Sequence, residues 1–270
     1  MIRIVQFTDV HFGAENPEAV AAARDFAHDA SPTAVLVTGD ITQRGLETEF
    51  SAAAAWLRSL PEPWLCCPGN HDTAYYNVFW RLFGPWRRFD AAIGPQWKEG
   101  LRAPGLAVEA INTARGIQLR SNWSKGKIDL DHARSAVDGF KNAAPGDLKV
   151  VALHHPLLEV IGEPITSEVR EGEQAVELFA EARVDLVLSG HLHVPFATPL
   201  PFGDGRTFTV GGGTLSIRER GEPAGFNDIE ADDDEIRVRA MGWRRGGFEV
   251  VRSWALPRRG APLAGNVDAG

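Results

Sequence analysis

The sequence of 270 residues has little cysteine and no long apolar run. Its two cysteines are the adjacent pair Cys66 and Cys67, which cannot form a disulfide framework and suit a reducing compartment or indifference to redox conditions. No stretch approaches the roughly 18 consecutive apolar residues that a membrane-spanning helix needs. The chain also opens directly into a predicted strand, without the apolar segment of a signal peptide. These absences predict a cytoplasmic protein.

Positive charge is scarce as well. The chain has 28 Lys and Arg against 36 Asp and Glu, a net charge of -8, and nucleic-acid binders draw most of their affinity from neutralising phosphates. A nucleic-acid partner is therefore not expected. With 44% apolar and 24% charged residues, the composition excludes disordered, collagen-like and coiled-coil classes. We expect one domain over residues 1–260 and, from the small polar residues at 261–270, a disordered tail.

Strand-like and helix-like segments alternate along the first two-thirds of the chain. Strands are predicted at 2–7, 34–37, 64–67, 106–111, 117–120, 149–153 and 185–188. Helices are predicted between them at 17–30, 46–60, 129–142 and 172–182. This alternation is typical of an α/β domain with a mostly parallel sheet. After residue 196 the helices stop, and strands predicted at 206–210, 226–230, 235–241 and 248–254 should be antiparallel and could complete a second sheet.

Metal-ligating residue types follow five of the predicted strands. In an open α/β sheet, side chains at the carboxyl ends of the strands meet at one edge. We expect seven donors to meet there: Asp9, His11, Asp40, Asn70, His154, His191 and His193. Nitrogen and oxygen donors without a thiolate suit Mn, Fe or Zn, and seven exceed what one ion needs. Two ions ~3.5–4 Å apart use that number and activate a bridging water for attack on a phosphoryl centre.

Two residues beside Asn70 complete this hypothesis. His71 is placed to protonate the departing alkoxide as a general acid, and Asp72 is predicted to orient the His71 imidazole. Histidines that are only packed or solvated would be scattered along the chain. Instead, six of the eight histidines follow predicted strands beside Gly, Asp or Asn.

The ordered set of motifs resembles the calcineurin-like metallophosphoesterases. It consists of Asp9-x-His11, Gly39-Asp40, Gly69-Asn70-His71-Asp72, His154-His155-Pro156 and Gly190-His191-x-His193. Within that family, the runs at 38–45 and 68–72 are similar to the bacterial cyclic-nucleotide phosphodiesterase branch. Ile111-Asn112-Thr113 departs from the Asp-Thr of many relatives, which affects packing in our interpretation and not the metals.

The resemblance implies a fold, a ligand set and a catalytic residue. The fold is a four-layer α-β-β-α sandwich, with two mixed sheets face to face and helices outside. One metal is then held by Asp9, His11 and His193, and the other by Asn70, His154 and His191. Asp40 bridges the two metals, and His71 is the catalytic acid. The motif selects His154 over the adjacent His155.

Two residues are candidate substrate contacts. His155 either faces the cleft as a contact or supports the metal ligands from behind, and we favour the second. Arg218 lies in a stretch where relatives often carry arginine, so it is either a phosphate contact or a solvated strand residue.

Residues 73–103 are a candidate cap, rich in aromatic residues and arginine. The rings could be the inner face of two short helices split by Gly84-Pro85, a surface that stacks on a nucleobase, an apolar lip for a lipid-bearing substrate, or a dimer surface. The cap leaves the substrate and the oligomeric state open, and a homo-oligomer remains one alternative.

The sequence as a whole predicts a hydrolase that cleaves a small phosphoester, most simply a nucleotide, with two divalent ions and a metal-bridging hydroxide. A phosphodiesterase acting on a cyclic nucleotide is the leading hypothesis, and Mn is the ion expected to work in vitro. The alternatives are a phosphomonoesterase, a pyrophosphohydrolase of nucleotide-sugar lipids and, outside enzymes, a metal-binding scaffold.

Overall fold

The computed structural model describes residues 1–74, 78–116, 125–157, 169–201 and 203–259. The strand predicted at 117–120, the tail predicted at 261–270 and the cap residues Tyr75 and Tyr76 lie outside them. Among the described residues the strands are β1 Ile2–Phe7, β2 Ala34–Thr38, β3 Trp64–Cys67, β4 Leu101–Ala103, β5 Leu106–Ala110, β6 Leu148–Ala152, β7 Leu186–Ser189, β8 Phe196–Pro199, β9 Phe208–Gly211, β10 Gly225–Ala231, β11 Glu235–Arg244 and β12 Gly247–Pro257. The α-helices are α1 Pro17–Ala30, α2 Glu47–Arg58, α3 Val78–Phe83, α4 Arg87–Ala92, α5 Leu130–Gly139 and α6 Gly172–Glu181.

The first sheet has the strand order β12-β11-β10-β1-β2-β3. Strands β1, β2 and β3 are parallel and are connected by α1 and α2, as the alternating pattern predicts. Strands β10, β11 and β12 extend the same sheet from the other side of β1, all antiparallel. Three of the four strands predicted after residue 196 therefore complete the first sheet, where the sequence pattern suggested a second one.

The second sheet has the order β4-β5-β6-β7-β9-β8. Strands β5, β6, β7 and β9 are parallel. The prediction that every strand after residue 196 is antiparallel is therefore wrong for β9, because that strand returns beside β7 in the same direction. Strands β4 and β8 are short antiparallel additions at the two edges.

Side-chain alternation shows how the two sheets face each other. Val150 and Ala152 of β6 join the core that is shared with the first sheet. Val151 of the same strand joins a second core beneath α5 and α6. Since neighbouring residues of a strand point to opposite faces, the second sheet is covered by the first sheet on one side and by helices on the other. Helices α1 and α2 pack into the shared core from the first sheet's side, for example through Ala23 and Ala53. The four-layer sandwich with outer helices is confirmed.

Helix boundaries follow ordinary capping chemistry. Asn16 caps α1 by accepting a hydrogen bond from the Ala19 amide at 3.2 Å, and Pro17 occupies the first turn. Asp129 caps α5 by accepting from the Asp131 amide at 3.0 Å. The sequence predicted α1 with the observed bounds and α2 within two residues at each end.

The segment at 73–103 contains both buried and exposed aromatic rings. Gly84 and Pro85 separate α3 from α4, as predicted. Phe89 and Trp97 lie in the core, whereas Phe79 and Phe83 are 59% and 73% exposed. The inner-face interpretation therefore accounts for some of these rings and not for others. No helix in the described ranges is both long and apolar enough to cross a membrane.

Candidate metal centre

The predicted ligand residues lie on loops that follow β1, β2, β3, β6 and β7, at the carboxyl edge of the two sheets. Main-chain hydrogen bonds tie the first two loops together. The amide of Asp9 donates to the carbonyl of Gly39 at 3.0 Å, and the amide of His11 donates to the carbonyl of Asp40 at 3.0 Å. Two loops that are distant in sequence are thereby held in register beside each other.

Five of the predicted ligands adopt left-handed backbone conformations. Their φ angles lie between 50° and 71°, at Asp9, His11, Asp40, His191 and His193. Non-glycine residues rarely adopt this conformation, and each such position costs on the order of 1–3 kcal/mol. The surrounding fold must hold these residues in place, and backbone strain of this kind concentrates at functional sites.

One cluster of donors forms around Asp9. Its Oδ1 lies 3.1 Å from His193 Nε2 and 3.7 Å from His11 Nε2. The two histidine Nε2 atoms are 3.3 Å apart. All three side chains are buried. The other oxygen, Asp9 Oδ2, accepts hydrogen bonds from Thr8 Oγ1 at 2.6 Å and from the His191 amide at 2.9 Å.

A second cluster forms around His154. Its Nε2 lies 3.2 Å from Asp40 Oδ2 and 3.2 Å from Asn70 Oδ1. The His191 ring packs at a right angle against the His154 ring, with centroids 5.3 Å apart. Asp40 lies between the two clusters, because its carboxylate belongs to close groups with His11 on one side and with Asp9 and His154 on the other.

Main-chain carbonyls orient the histidine rings. The Nδ1 atoms of His11, His193 and His154 lie 3.3, 2.8 and 2.9 Å from the carbonyl oxygens of Thr42, Arg218 and Thr38. A carbonyl can only accept, so each Nδ1 carries a proton and donates it. In the neutral rings the Nε2 lone pairs then point into the cluster, which is the arrangement that metal-binding histidines adopt.

The ionisation of His11, His191 and Asp9 also suits a cation, whereas His154 would have to lose a proton to bind one. Burial lowers the pKa of His11 and of His191 to about 3, so both rings are neutral at pH 7. Burial opposes ionisation of Asp9, but the neighbouring His193 and His154 outweigh it and hold its pKa well below the usual range. Burial also disfavours the charged form of His154, yet the carboxylate of Asp40 raises its pKa to about 9.

These residues fit a metal centre by their own geometry. Within the described part of the chain, Asp9 Oδ1 is buried without a hydrogen bond of acceptable geometry. The facing lone pairs of His11 Nε2 and His193 Nε2, only 3.3 Å apart, repel each other unless a cation or proton lies between them. The donors are nitrogen and oxygen atoms without a thiolate, a set that suits Mn, Fe or Zn.

His71 lies beside this cluster, and its ring is held by a main-chain group. Its Nδ1 donates to the carbonyl of Gln43 at 2.7 Å, and its amide donates to Asp40 Oδ1 at 2.7 Å. Its Nε2 lies 3.3 Å from Arg218 Nη1. The ring packs edge-on against His11 with centroids 4.8 Å apart.

Asp72 does not orient the His71 imidazole, which corrects the sequence prediction. Its buried carboxylate accepts hydrogen bonds from the Gly69 amide at 2.8 Å and from both the amide and the hydroxyl of Thr42, at 2.9 and 2.8 Å. Burial and the negative charge of Asp40 raise the pKa of Asp72 to about 6 despite these donors. Asp72 therefore ties the loop after β3 to the loop after β2, and the Gln43 carbonyl orients the imidazole instead.

The two predicted substrate contacts have different positions. The half-buried Arg218 extends over the cluster, with Nη1 at 3.4 Å from His11 Nε2 and 3.4 Å from Gln43 Oε1. His155 is 1% exposed, packs 4.6 Å from the His191 ring and contacts Thr113 Oγ1 through Nδ1 at 2.9 Å. This burial favours the second of the two predicted roles, support from behind the ligands.

Gln43 is a site residue that sequence reasoning missed. Its main-chain carbonyl orients His71, and its side chain contacts Arg218. The carbonyl role leaves no signal in the sequence, since every residue has that group. The nearest available signal was its position, three residues after the predicted ligand Asp40.

The chain is similar in sequence and in fold to known phosphoesterases. The family model for calcineurin-like phosphoesterases matches residues 2–195. A probable cyclic nucleotide phosphodiesterase of Synechococcus sp. is 25% identical over 250 residues, which cover 86% of this chain and 89% of that protein. A 3',5'-cyclic-nucleotide phosphodiesterase of Nostoc sp. is 24% identical over 226 residues, which cover 72% and 73%. The crystal structure of a dimetal phosphatase from Danio rerio superposes with a TM-score of 0.67 at 10% identity, covering 95% of this chain and 98% of that one.

Proposed function

The chain belongs to the calcineurin-like phosphoesterase family, and on that basis we propose that it is a phosphodiesterase that uses two divalent metal ions to hydrolyse a cyclic nucleotide. The observation that carries the proposal is the pair of donor clusters joined by Asp40, with His71 and Arg218 beside them. The names of the cyanobacterial relatives support the substrate class.

The proposed ligand set divides between the two clusters. Asp9, His11 and His193 hold one ion, and three residues of the second cluster hold the other: Asn70, His154 and His191. Asp40 is shared. Two divalent cations bound there supply a water nucleophile at neutral pH and neutralise charge that develops on the phosphoryl oxygens.

The remaining residues position the substrate and move a proton. The Arg218 guanidinium, which lies over the cluster, binds a phosphoryl oxygen through charge-assisted hydrogen bonds. His71 presents Nε2 to the same space while Gln43 holds Nδ1. When the ring carries a second proton at Nε2, it can give that proton to the departing alkoxide. Arg218 contacts the same nitrogen at 3.3 Å, so substrate must draw the guanidinium away before the transfer.

A panel of substrates tests the proposal. Metal-free protein is reloaded with Mn(II) and assayed on a chromogenic phosphodiester, its monoester counterpart, 3',5'- and 2',3'-cyclic nucleotides and a UDP-lipid analogue. We expect the cyclic nucleotides to be cleaved above the chromogenic diester, and His71→Ala to lower kcat by 100-fold or more, the size typical of a lost general acid. Asn70→Ala should also lower kcat, because it removes a proposed metal ligand. Metal-loaded protein that cleaves no phosphoester would contradict the proposal and favour the scaffold alternative.

A second candidate rests on exposed apolar side chains of the cap. Phe79, Leu82 and Phe83 of α3 are 59%, 55% and 73% exposed, and Arg87 stacks on the Trp80 ring 4.7 Å from its centroid. Aromatic and basic side chains together suit a lipid-bearing substrate. Turnover confined to the UDP-lipid analogue would replace the cyclic nucleotide with that class, and turnover confined to the monoester would make the protein a phosphomonoesterase.

A further inference from the structure

A buried polar bridge crosses the space between the two sheets. Gln6 of β1 and Asn227 of β10 are cross-strand partners in the first sheet. Ser189 of β7 and Gly211 of β9 are partners in the second. The Gln6 amide donates from Nε2 to the Ser189 carbonyl at 2.9 Å, and the Asn227 amide donates from Nδ2 to the Gly211 carbonyl at 2.9 Å.

The bridge is internally connected. Gln6 Nε2 also donates to Thr38 Oγ1 at 3.1 Å, and Asn227 Nδ2 also donates to Gln6 Oε1 at 2.9 Å. Both amide groups thus use both of their N–H donors. Gln6, Thr38, Ser189 and Asn227 have no exposed surface. Polar groups sealed in a core hold their partners in one arrangement, because shifting either sheet would leave them unpaired.

The bridge lies directly beneath the proposed metal ligands. Gln6 precedes Asp9 by three residues, Thr38 precedes Asp40 by two, and Ser189 precedes His191 by two. Thr38 also accepts the Nδ1 proton of His154 on its main-chain carbonyl, at 2.9 Å. Three of the bridge residues, Gln6, Thr38 and Ser189, are therefore two or three residues from a donor.

The glycines after β7 and β9 show how closely the sheets approach at this level. A Cβ atom on Gly190 would lie 1.9 Å from Thr8 Oγ1 and 2.4 Å from Asp9 Oδ2. A Cβ atom on Gly212 would lie 2.6 Å from Thr8 Cγ2. The run Gly211 to Gly213 therefore includes a position, Gly212, where the two sheets meet with no room for a side chain.

We propose that Gln6 and Asn227 are positioning residues that set the distance between the two halves of the metal centre. The first sheet supplies the loops of Asp9, His11, Asp40 and Asn70, and the second supplies those of His154, His191 and His193. Ions held by both halves need their donors within about 0.5 Å of the right place. The inference rests on the proposed metal centre but not on the identity of its substrate.

Two unpaired atoms of the bridge, Ser189 Oγ and Asn227 Oδ1, indicate that the bridge positions the two sheets and does not serve the stability of the fold alone. Both atoms are buried and have no hydrogen-bond partner among the described residues. A bridge serving stability alone would be better replaced by apolar side chains of similar volume, since unpaired buried polar atoms carry a desolvation cost.

Apolar substitutions of Gln6 and Asn227 distinguish a role in positioning the metal ligands from a role in stability alone. Gln6→Met and Asn227→Leu remove the bridging donors while keeping side-chain size. Ile4→Val is the matched control. Ile4 is fully buried on the same face of β1, two residues before Gln6, and it is not a partner in any of the bridge hydrogen bonds. Mn(II) binding to metal-free protein is measured by calorimetry, spin coupling of the bound pair by electron paramagnetic resonance, and the melting temperature separately.

We expect Gln6→Met to raise the Kd of at least one Mn(II) tenfold or more, the effect typical of groups that orient metal ligands, and to reduce the spin-coupled fraction. Asn227→Leu should act in the same direction, and it decides the question if Gln6→Met does not fold. Ile4→Val should lower the melting temperature and leave both Kd values unchanged. Wild-type affinity for two Mn(II) in both bridge variants would overturn the inference. Failure of the wild type itself to bind two ions would instead contradict the proposed metal centre.

Discussion

Replacing Asp72 tests whether this residue holds a loop or serves the imidazole. The Asp72 carboxylate accepts hydrogen bonds from the Gly69 amide and from the amide and hydroxyl of Thr42, with donor–acceptor distances of up to 2.9 Å. It also accepts one from the Ile41 amide at 3.3 Å. Asp72→Ala leaves the amides buried without a partner. An orphaned buried donor costs roughly 1–3 kcal/mol, so two to three of them should lower the free energy of unfolding by about 2–9 kcal/mol.

Urea denaturation of metal-free wild type and Asp72→Ala measures this loss, and His71→Ala is the control. If Asp72 only oriented the imidazole, both variants would lose activity with unfolding free energies within about 1 kcal/mol of wild type. The structure predicts instead that Asp72→Ala loses stability and activity together, whereas the half-buried His71 can be removed at little cost to stability. An Asp72→Ala protein as stable as wild type would refute the reasoning, because the donors of Gly69 and Thr42 would then have found other partners.

Two further predictions concern a substrate contact and the pH dependence of stability. Arg218→Ala should lower kcat/KM for the best phosphoester by about 10- to 100-fold, the worth of a hydrogen bond between charged groups, and an unchanged kcat/KM in steady-state assays would exclude the phosphate contact. The pKa of Asp204 is lowered, because hydrogen bonds from Arg259 and from the amides of Arg206 and Thr207 outweigh its partial burial. The stabilisation that the ionised Asp204 gives to the folded state is therefore present above the unfolded-state pKa, and it is lost as the pH falls through the lower folded-state pKa. Unfolding free energies measured from pH 6 down to pH 3 should fall less steeply in Asp204→Asn, and parallel curves for the two proteins would contradict this assignment.

The sequence predicted the elements whose signals are local. Helix α1 carries a capping asparagine, a proline in its first turn and apolar residues at helical spacing, and it was predicted with its observed bounds. Strand β1 alternates apolar and polar residues, and strand β3 is a short apolar run. Both end at ligand motifs, and both were predicted with their observed bounds. Strand β4 was missed because its three residues are too few for alternation to be detected. Strand β8 was missed because it ends in Pro199, a residue that argues against a strand. The direction of β9 depends on which strand it pairs with, and pairing between distant segments leaves no local signal.

The candidate site divides in the same way. Side chains that must be Asp, Asn or His because of their donor atoms can be identified from their order along the chain, and the structure brings all seven together. Groups that act through the main chain cannot be identified from the sequence in this way. The carbonyls of Thr38, Thr42, Gln43 and Arg218 orient four histidine rings, and any residue could supply them. Asp72 was assigned the wrong partner for a related reason: its acceptors are filled mainly by main-chain amides, which the sequence does not reveal.

The strained backbone of the site follows from the closeness of the two sheets. With the sheets in contact at Thr8, Gly190 and Gly212, a loop leaving β1 or β7 must turn at once, and Asp9 and His191 make that turn in the left-handed conformation. Glycine would relieve the strain, but glycine has no donor atom. Packing in the cores beneath these residues must therefore offset the free-energy cost of the left-handed conformations. It does so by holding the ends of the strands fixed, with the donors close together. A site built this way should weaken when the sheets are loosened, even where every donor residue is retained, and that is the result expected of the Gln6 and Asn227 variants.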